Sequence, residues 1–406
     1  IECNLLREDS LLMNWQWTSI DSLSLISKTE FDTLQPSGNT TSPFLSYAFL
    51  LALEESNSVS KDTGWQANHL IVRDQNQTLI AFVPAYIKSH SYGEYVFDHS
   101  WAQAYQQHGL LYYPKLSVCV PFTPVTGPRI LLQSADLIEP LISYIANIKD
   151  DYLAEHHLSS LHILFSQERV SKQFLTEGFH QRLSVQFNWY NNGFVDFDGY
   201  LEAMTARRRR SIRKERKGIV KQATSIKRIV AHNISEHDMA FFYLCYQQTY
   251  LKRSGHHGYL SEAFFKQILR SMPEKLLLII AEQTNDEGLK TPIAGALFFF
   301  DENGLYGRYW GALKEVSGLH FEVCYYQGIE FCIEQNIPMF NPGTQGEHKI
   351  LRGFEPTLCY SNHSMQEPAF DDAVADFVNR EAPHIEDYKA QSAQLLPFKQ
   401  GQEDSE

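Results

Sequence analysis

Histidine and glutamate side chains gather at two predicted helix starts in the second half of the chain. His320 and Glu322 open a helix predicted for residues 319–335, and Glu347 and His348 open a shorter one. Each helix follows a predicted strand, so we expect both starts at one sheet edge, where α/β proteins bind ligands. A histidine or carboxylate there can serve as a general base. Purely structural roles are equally ordinary: a glutamate at a helix start can pair with the helix dipole, and a histidine can simply pack.

The stretch from residue 89 to residue 115 is aromatic and polar without a clear period. It is too long for a passive connection, which favours a functional loop. Aromatic rings interspersed with carboxylates suit the wall of a sugar or peptide pocket, although a self-packed surface loop explains them as well. We expect this loop and the second-half helix starts to line one cleft. The candidate catalytic residues are His320, Glu322 and Glu347, and the candidate substrate-binding residues are Tyr92, Glu94, Arg308, Trp310, Gln345 and His348.

A basic run, also expected to be helical, lies between the halves. Its nine cations are Arg207, Arg208, Arg209, Arg210, Arg213, Lys214, Arg216, Lys217 and Lys221. The whole chain carries a formal net charge of -13, so attraction to nucleic acid must come from a local patch of this kind. The alternative is a helix that pairs with the acidic surface of its own protein.

Composition and motifs exclude several other classes of protein. The six cysteines form no CxxC pair, as is typical of reduced thiols in a reducing compartment. The longest apolar runs are too short to span a bilayer, and residues 1–14 have no apolar signal-peptide core. These features predict a cytoplasmic protein without membrane insertion. No phosphate-binding P-loop, nucleophile elbow or metal-ligand spacing occurs, so we expect no metal site.

The same order of elements is predicted twice along the chain. In each half a hairpin precedes a strand, a long helix, a short strand, a short helix ending in Gly-Phe, and a final strand. The hairpins fall at residues 70–87 and 276–300, and the Gly-Phe pairs at 178–179 and 353–354. This repetition favours a divergent duplication, although α/β proteins also share such an order by chance. We therefore divide the chain into residues 1–198 and 199–406, each with its own mixed sheet.

Four sequence blocks resemble those of a known family. They are KSHSYGEYVFD at 88–98, VPFTPVTGPR at 120–129, YGRYWGA at 306–312 and NPGTQGEHK at 341–349. These blocks are similar to bacterial GNAT-type proteins labelled peptidoglycan biosynthesis or recognition, which are related to the Fem peptidyltransferases. The resemblance extends over residues 43–398 and implies an α/β (α+β) fold with two GNAT-like domains in tandem.

The resemblance also implies a reaction. Fem proteins transfer an aminoacyl group from tRNA to a cell-wall precursor, and simple GNAT enzymes move an acyl group from acyl-coenzyme A to an amine. A small-molecule or peptide amine is therefore the expected acceptor, and acyl-coenzyme A or aminoacyl-tRNA the expected co-substrate. The basic run lies where Fem-like proteins carry an Arg-rich helix, which implies RNA contact through Arg207–Lys221.

The glycine-rich coenzyme A loop of GNAT enzymes has only weak counterparts here. The candidates for holding an anion are Thr126, Gly127 and Arg129, but Pro128 has no N–H to donate, and the second-half loop offers only Gly318. Two functions therefore stay open at this point. One is an acyl- or aminoacyl-transferase acting on an amine, and the other is a non-catalytic module that binds a cell-wall fragment or another polymer.

Overall fold

A computed structural model describes residues 15–36, 42–344 and 346–399. The strands in these ranges are β1 (Gln16–Ile20), β2 (Gln35–Pro36), β3 (Trp65–Ala67), β4 (His69–Arg73), β5 (Leu79–Val83), β6 (Ala85–Lys88), β7 (Lys115–Val118), β8 (Leu131–Leu132), β9 (Ser160–Ser166), β10 (His180–Tyr190), β11 (Thr224–Val230), β12 (Leu276–Thr284), β13 (Lys290–Phe300), β14 (Leu305–Ala312), β15 (Met339–Asn341) and β16 (Glu355–Met365).

The helices complete the α/β architecture. They are α1 (Lys28–Phe31), α2 (Tyr47–Glu55), α3 (His99–Gln107), α4 (Ile138–Glu155), α5 (Glu168–Thr176), α6 (Phe197–Glu202), α7 (Ala206–Lys221), α8 (Glu236–Ser254), α9 (Glu262–Ser271), α10 (Leu319–Phe321), α11 (Gln327–Glu334) and α12 (Pro368–Ala393). The π-helical turn Glu322–Tyr326 joins α10 and α11 into one helix. Short 3-10 helices lie at Leu23–Leu25, Pro43–Leu45, Ala135–Leu137, Ala231–Asn233, Pro273–Lys275 and Glu347–Arg352.

One long sheet crosses the middle of the molecule. Its strand order is β11-β12-β13-β14-β15-β10-β16-β9-β7-β6-β3, and a smaller sheet has the order β1-β4-β5-β8-β2. The prediction of a separate sheet in each half is wrong, because strands of both halves alternate at the centre. The C-terminal strand β16 lies between β9 and β10 of the first half, and β10 in turn pairs with β15 of the second half. The division into residues 1–198 and 199–406 stays a prediction.

Packing also joins the two halves. Phe44 and Phe49 of the first half contact Phe299 of β13 with ring centroids 5.1 and 5.5 Å apart. On the same face of the sheet, α8 lies against β14 so closely that a Cβ on Gly311 would approach the carbonyl oxygen of Cys245 to 2.0 Å. Only glycine permits this approach, which fixes α8 over the strand that carries Arg308 and Trp310.

Several predicted elements are confirmed, and others are corrected. The hairpins β4–β5 and β12–β13, the long helix α4 and the basic helix α7 form as expected. The stretch 89–115 is not wholly a loop, since it contains α3 and the first residue of β7. The strand predicted between the first hairpin and the long helix is the short β7, which ends at Val118. No prediction covered α8, α9 or α12.

Two strand pairs in the described part of the chain are parallel, and the second opens into a gap. In the first half, β7 pairs with β9 from Leu116 to Val118. In the second half, β14 pairs with β15 only through Leu305–Phe340 and Tyr306–Asn341. Beyond these residues β14 continues, while the segment that follows β15 turns away at Pro342. We call the resulting gap, between β14 and the loop after β15, the second-half wedge.

Candidate active site

The second-half wedge holds a cluster of nitrogen-bearing side chains. A cavity of about 70 Å³ is lined there by residues of β13, β14 and α10, including Arg308, Trp310, His320 and Cys324. The pairing of β13 with β14 shifts register at Leu297 and Phe298, which places Arg308 at a bulge. A bulge re-aims a side chain at the strand edge. Arg308 Nη2 donates to the carbonyl oxygen of Phe122, 3.0 Å away in the first half.

Two imidazoles face each other at the wall of the wedge. The His320 ring lies 5.5 Å from Trp310 and 6.2 Å from His348, centroid to centroid. His348 Nε2 is 2.8 Å from the hydroxyl of Tyr325. Burial lowers the pKa of His320 to about 4, with His348 and nearby cations adding to the effect. Burial and Lys349 also lower the pKa of His348. At neutral pH His320 is therefore uncharged, and one of its ring nitrogens carries no proton.

Lys349 is a buried cation that follows Glu347 and His348 in the sequence but is not among the predicted site residues. Its side chain is 1% exposed, and its ammonium donates to the carbonyl oxygen of Gly343. Burial, together with the nearby charge of Arg308, lowers the pKa of Lys349 to about 7. Among the described residues no carboxylate pairs with it. A polar residue just before the apolar pair Ile350-Leu351 was the one available signal, and that signal is ambiguous.

The two candidate carboxylates point away from this cluster. Glu322 is buried and ion-paired with Arg216 of α7, with 2.9 Å between Arg216 Nη2 and Glu322 Oε1. Gln327 donates to the same oxygen at 2.8 Å. Glu347 is exposed and accepts from the hydroxyl of Tyr388 at 2.9 Å. The expectation that both carboxylates meet His320 is corrected, because the ion pair fixes one and the other faces solvent.

The first-half candidates lie in a different environment. Tyr92 is 63% exposed, whereas Glu94 is 4% exposed and accepts from the buried ammonium of Lys115 at 2.7 Å. Asp98 accepts from the same ammonium. We predicted that Glu94 lines one cleft together with Arg308, Trp310 and His348. That prediction is wrong for Glu94, because its carboxylate is buried among residues of the first half. Gln345 lies outside the described residues.

The candidate anion site in the first half is occupied by internal hydrogen bonds. Arg129 is 2% exposed, and its guanidinium donates to the carbonyl oxygens of Leu164, Pro128 and Val125. The N–H of Gly127 donates to Phe165, and Thr126 Oγ1 donates to Cys359 Sγ. This arrangement corrects the assignment of Thr126, Gly127 and Arg129 to a cofactor, because the guanidinium is turned inward.

The basic helix α7 pairs with the protein through only part of its charge. Arg213 binds Asp198, and Arg216 binds Glu322 and Glu330. The other seven cations have no acidic partner within the part of the chain that the structure describes, and they are Arg207, Arg208, Arg209, Arg210, Lys214, Lys217 and Lys221. Self-pairing therefore explains two of the nine cations and leaves a positive surface.

The basic helix reaches the wedge through continuous contacts. Glu215 of α7 binds Arg352 at 2.9 Å, and the Arg352 guanidinium lies 3.6 Å from the ring centre of Phe321. Phe321 in turn packs against His348 with ring centroids 5.6 Å apart. Side-chain contacts thus connect the inner face of α7 to the histidine cluster.

The described residues include neither a group of metal ligands nor a membrane-spanning helix. In residues 15–36, 42–344 and 346–399, no three His, Cys, Asp or Glu side chains are placed to share a metal ion. Within the same ranges, no helix has the length and apolarity needed to cross a bilayer.

The mixed α/β fold is similar to that of FemX, and solved tandem GNAT proteins also match it. The crystal structure of FemX matches with a TM-score of 0.52 at 11% identity, covering 85% of this chain and 98% of FemX. A tandem GNAT protein from the clavulanic acid biosynthesis pathway matches at 8% identity with a TM-score of 0.47, covering 87% of this chain and 99% of its own. The N-myristoyltransferase of Saccharomyces cerevisiae with bound myristoyl-CoA matches at 12% identity with a TM-score of 0.40, covering 88% and 83%.

The chain belongs to the FemAB-like family, described as peptidoglycan biosynthesis/recognition, whose model matches residues 22–400. This confirms the family resemblance seen in the sequence. A comparison with curated proteins gave no significant match.

Proposed function

We propose that this protein transfers an acyl or aminoacyl group onto the amine of a peptide acceptor, with the second-half wedge as the reaction centre. The observation that carries the proposal is the cluster of His320, His348, Arg308 and Lys349, which joins neutral imidazoles to cations without a carboxylate. Such a set suits a reaction that removes a proton and develops an oxyanion. The family description supports a cell-wall peptide as the acceptor.

The reaction needs a free amine and a stabilised oxyanion. The amine nitrogen attacks the carbonyl carbon of an ester or thioester, and the carbonyl oxygen takes the negative charge. His320 accepts the amine proton, since its imidazole is neutral at pH 7. Arg308 and Lys349 offer N–H donors to the oxyanion. The C–O or C–S bond then breaks, and the proton passes from His320 to the leaving oxygen or sulfur.

The donor favoured by the structure is aminoacyl-tRNA rather than acyl-coenzyme A. Along α7, seven cations without an acidic partner among the described residues form a surface suited to phosphates. By contrast, the turn that precedes α10 contains a single glycine, Gly318, and its carbonyl oxygen already accepts from the N–H groups of Phe321 and Glu322. Few backbone donors remain there to hold a pyrophosphate.

The proposal is tested by replacing His320. With aminoacyl-tRNA and a peptide amine as substrates, His320→Gln should lower turnover about a hundredfold, because the proton acceptor is lost. Glu347→Gln is the matched control, and it should keep full rate because its carboxylate faces solvent. Full turnover in His320→Gln would contradict the proposal. Donor and acceptor binding without transfer by the wild-type protein would favour the binding module.

The choice of donor is tested separately by salt. Replacement of Arg207, Arg208, Arg209 and Arg210 with Gln should flatten the dependence of tRNA affinity on salt by about three in log–log slope, if all four contact phosphates. Replacement of Arg169 and Lys172, which lie on α5, is the control. An unchanged slope would return α7 to a purely structural role.

A further inference from the structure

Strand β15 ends early and leaves one edge of β10 open. β15 pairs with β10 only at Trp189 and Tyr190, and the chain then leaves the sheet through Pro342 and Gly343. Proline cannot donate to a strand ladder, and Gly343 has a φ of +97°, outside the strand region. From residue 188 back to residue 180, β10 therefore has β16 on one side. On its other side no strand pairs with it among those that the structure describes.

A cavity of about 320 Å³ follows this open edge. It is lined by five consecutive residues of β10, Arg182–Gln186. Successive side chains of a strand point to opposite faces of the sheet, so a cavity that touches five in a row includes the strand edge. That edge presents backbone N–H and C=O groups. The cavity also extends over the neighbouring strands to Ser361 of β16 and Phe165 of β9. Across the cavity lie Tyr95, Phe97, Thr344 and Ile385.

The charged groups of the cavity are already paired. Arg182 binds the carboxylate of Glu381 through two hydrogen bonds of 2.8 and 2.9 Å and donates to the carbonyl oxygen of Phe97 at 2.8 Å. The remaining walls are largely aromatic or aliphatic, including Phe165 and Val185. An open strand edge between apolar walls, without a free charge, matches the chemistry of an uncharged extended peptide backbone.

The cavity adjoins the proposed reaction centre. Thr344 lies in the loop that also bounds the second-half wedge, and Asn341 at the end of β15 donates to Gln186 Oε1 at 3.1 Å. With neighbouring strands about 4.8 Å apart, β14 and β10 are separated by about 10 Å across the position that β15 vacates. A chain paired with β10 would occupy that position and pass beside the wedge.

We propose that an extended peptide binds by pairing its backbone with the open edge of β10 along Arg182–Gln186. This inference rests on the proposed function, since the peptide is the one that carries the acceptor amine. Recognition through the backbone selects for extended conformation, and the apolar walls select among side chains.

Backbone methylation of a bound peptide tests this mode directly. A pool of pentapeptides of the form acetyl-X-X-Lys-X-X-amide is screened for binding by NMR, and the best binder is resynthesised with one N-methyl group at each position in turn. Only alternate residues of a paired strand direct N–H groups to their neighbour. Methylation should therefore weaken binding about two- to tenfold at alternate positions and leave the others unchanged. A uniform effect, or no binding by any pentapeptide, overturns the proposal.

Filling the cavity from opposite walls provides a second test. Ser184→Trp on β10 and Ile385→Trp on α12 should each weaken binding of the same peptide at least tenfold, because both place a large ring in the cavity. Leu175→Trp is the control, since Leu175 is exposed and does not line the cavity. Unchanged peptide affinity in both cavity variants contradicts the proposal.

The two proposals fail in different ways. Alternating sensitivity to methylation without any transfer to the lysine amine keeps the peptide site and rejects the transferase. Transfer to the lysine with uniform sensitivity keeps the transferase and rejects strand pairing with β10.

Discussion

Each of the two parallel strand pairs has a buried lysine beside it, but the surroundings of the two lysines differ. Lys115 begins β7 and contacts two buried carboxylates, those of Glu94 and Asp98. Burial alone would lower the pKa of Lys115, yet these carboxylates raise it above its ordinary value. Lys349 lies below the second-half wedge, has no such partner in the described ranges, and has its pKa lowered by burial to about 7.

This difference separates a structural site from a reactive one. An ammonium with two carboxylates forms a satisfied network that is costly to open. A lysine whose pKa is close to 7 and whose ammonium has no carboxylate partner can still donate hydrogen bonds to a developing negative charge. The same residue type at corresponding strand pairs therefore serves folding in one half and, in our proposal, chemistry in the other.

The largest expected effect is on stability in the first half. Lys115→Met leaves Glu94 and Asp98 buried without a cation, so the free energy of unfolding should fall by about 3–5 kcal/mol. Denaturant titration measures it. Lys172→Met, at an exposed helix position, should change stability by less than about 0.5 kcal/mol. A small loss in Lys115→Met would remove the distinction between the two lysines.

The second-half lysine should behave in the opposite way. Lys349→Met removes a charge and leaves no carboxylate unpaired, so stability should stay within about 1 kcal/mol of wild type. Turnover with aminoacyl-tRNA and a peptide amine should fall at least tenfold, because a donor to the oxyanion is lost. Destabilisation as large as that of Lys115→Met, with turnover retained, would make both lysines structural.

The two candidate glutamates test the same distinction between structural and reactive residues, with a smaller expected change in the free energy of unfolding. Glu322→Gln removes the charge that Arg216 binds, and it should cost about 1–2 kcal/mol of stability because Arg216 is partly exposed. Glu347→Gln should be neutral. Both should keep full turnover in the assay used for His320→Gln. A selective loss of turnover in Glu322→Gln would instead restore its predicted role as the general base.

A pH-dependent effect concerns a histidine pair that links β9 to β16. His162 Nδ1 lies 2.7 Å from His363 Nδ1, so one ring must donate and the other accept, and the accepting ring must be neutral. Burial lowers both pKa values well below the ordinary value. Below pH 6.5 the unfolded chain therefore binds protons that the folded chain excludes. Stability should be full above pH 6.5 and should fall as pH drops, by up to about 1.4 kcal/mol per pH unit for each histidine.

Urea titrations between pH 7.5 and pH 5 measure this dependence. His363→Asn should reduce the slope, whereas His157→Asn, at an exposed position, should leave it unchanged. An identical slope in all three proteins would show that the pair does not titrate on unfolding.

Local sequence patterns predicted many of the helices and strands, but they did not predict contacts between residues that are distant in the sequence. The spacing of Leu141, Ile142 and Ile145 predicted α4, since all three are buried on one face. The partner of Glu322 is Arg216, 106 residues earlier, and no spacing rule relates the two. The burial of Lys349 likewise follows from how the loop after β15 packs, which periodicity does not encode.

The same limit explains why the sheet was predicted as two. Each half contains the expected series of strands, and hydrophobic pattern alone does not tell a strand which neighbour to choose. The position of β16 between β9 and β10 depends on pairings such as His162 with His363, which are 201 residues apart.

This exchange of strands has a consequence for synthesis of the chain on the ribosome. When residue 190 leaves the exit tunnel, β9 and β10 have both been made, but the strand that belongs between them follows more than 160 residues later. Until β16 is made, the edges of β9 and β10 that pair with it stay unpaired, and unpaired strand edges are prone to aggregation. Folding of both halves is thus completed together, late in translation, and a chain released before β16 would be a substrate for chaperones or proteases.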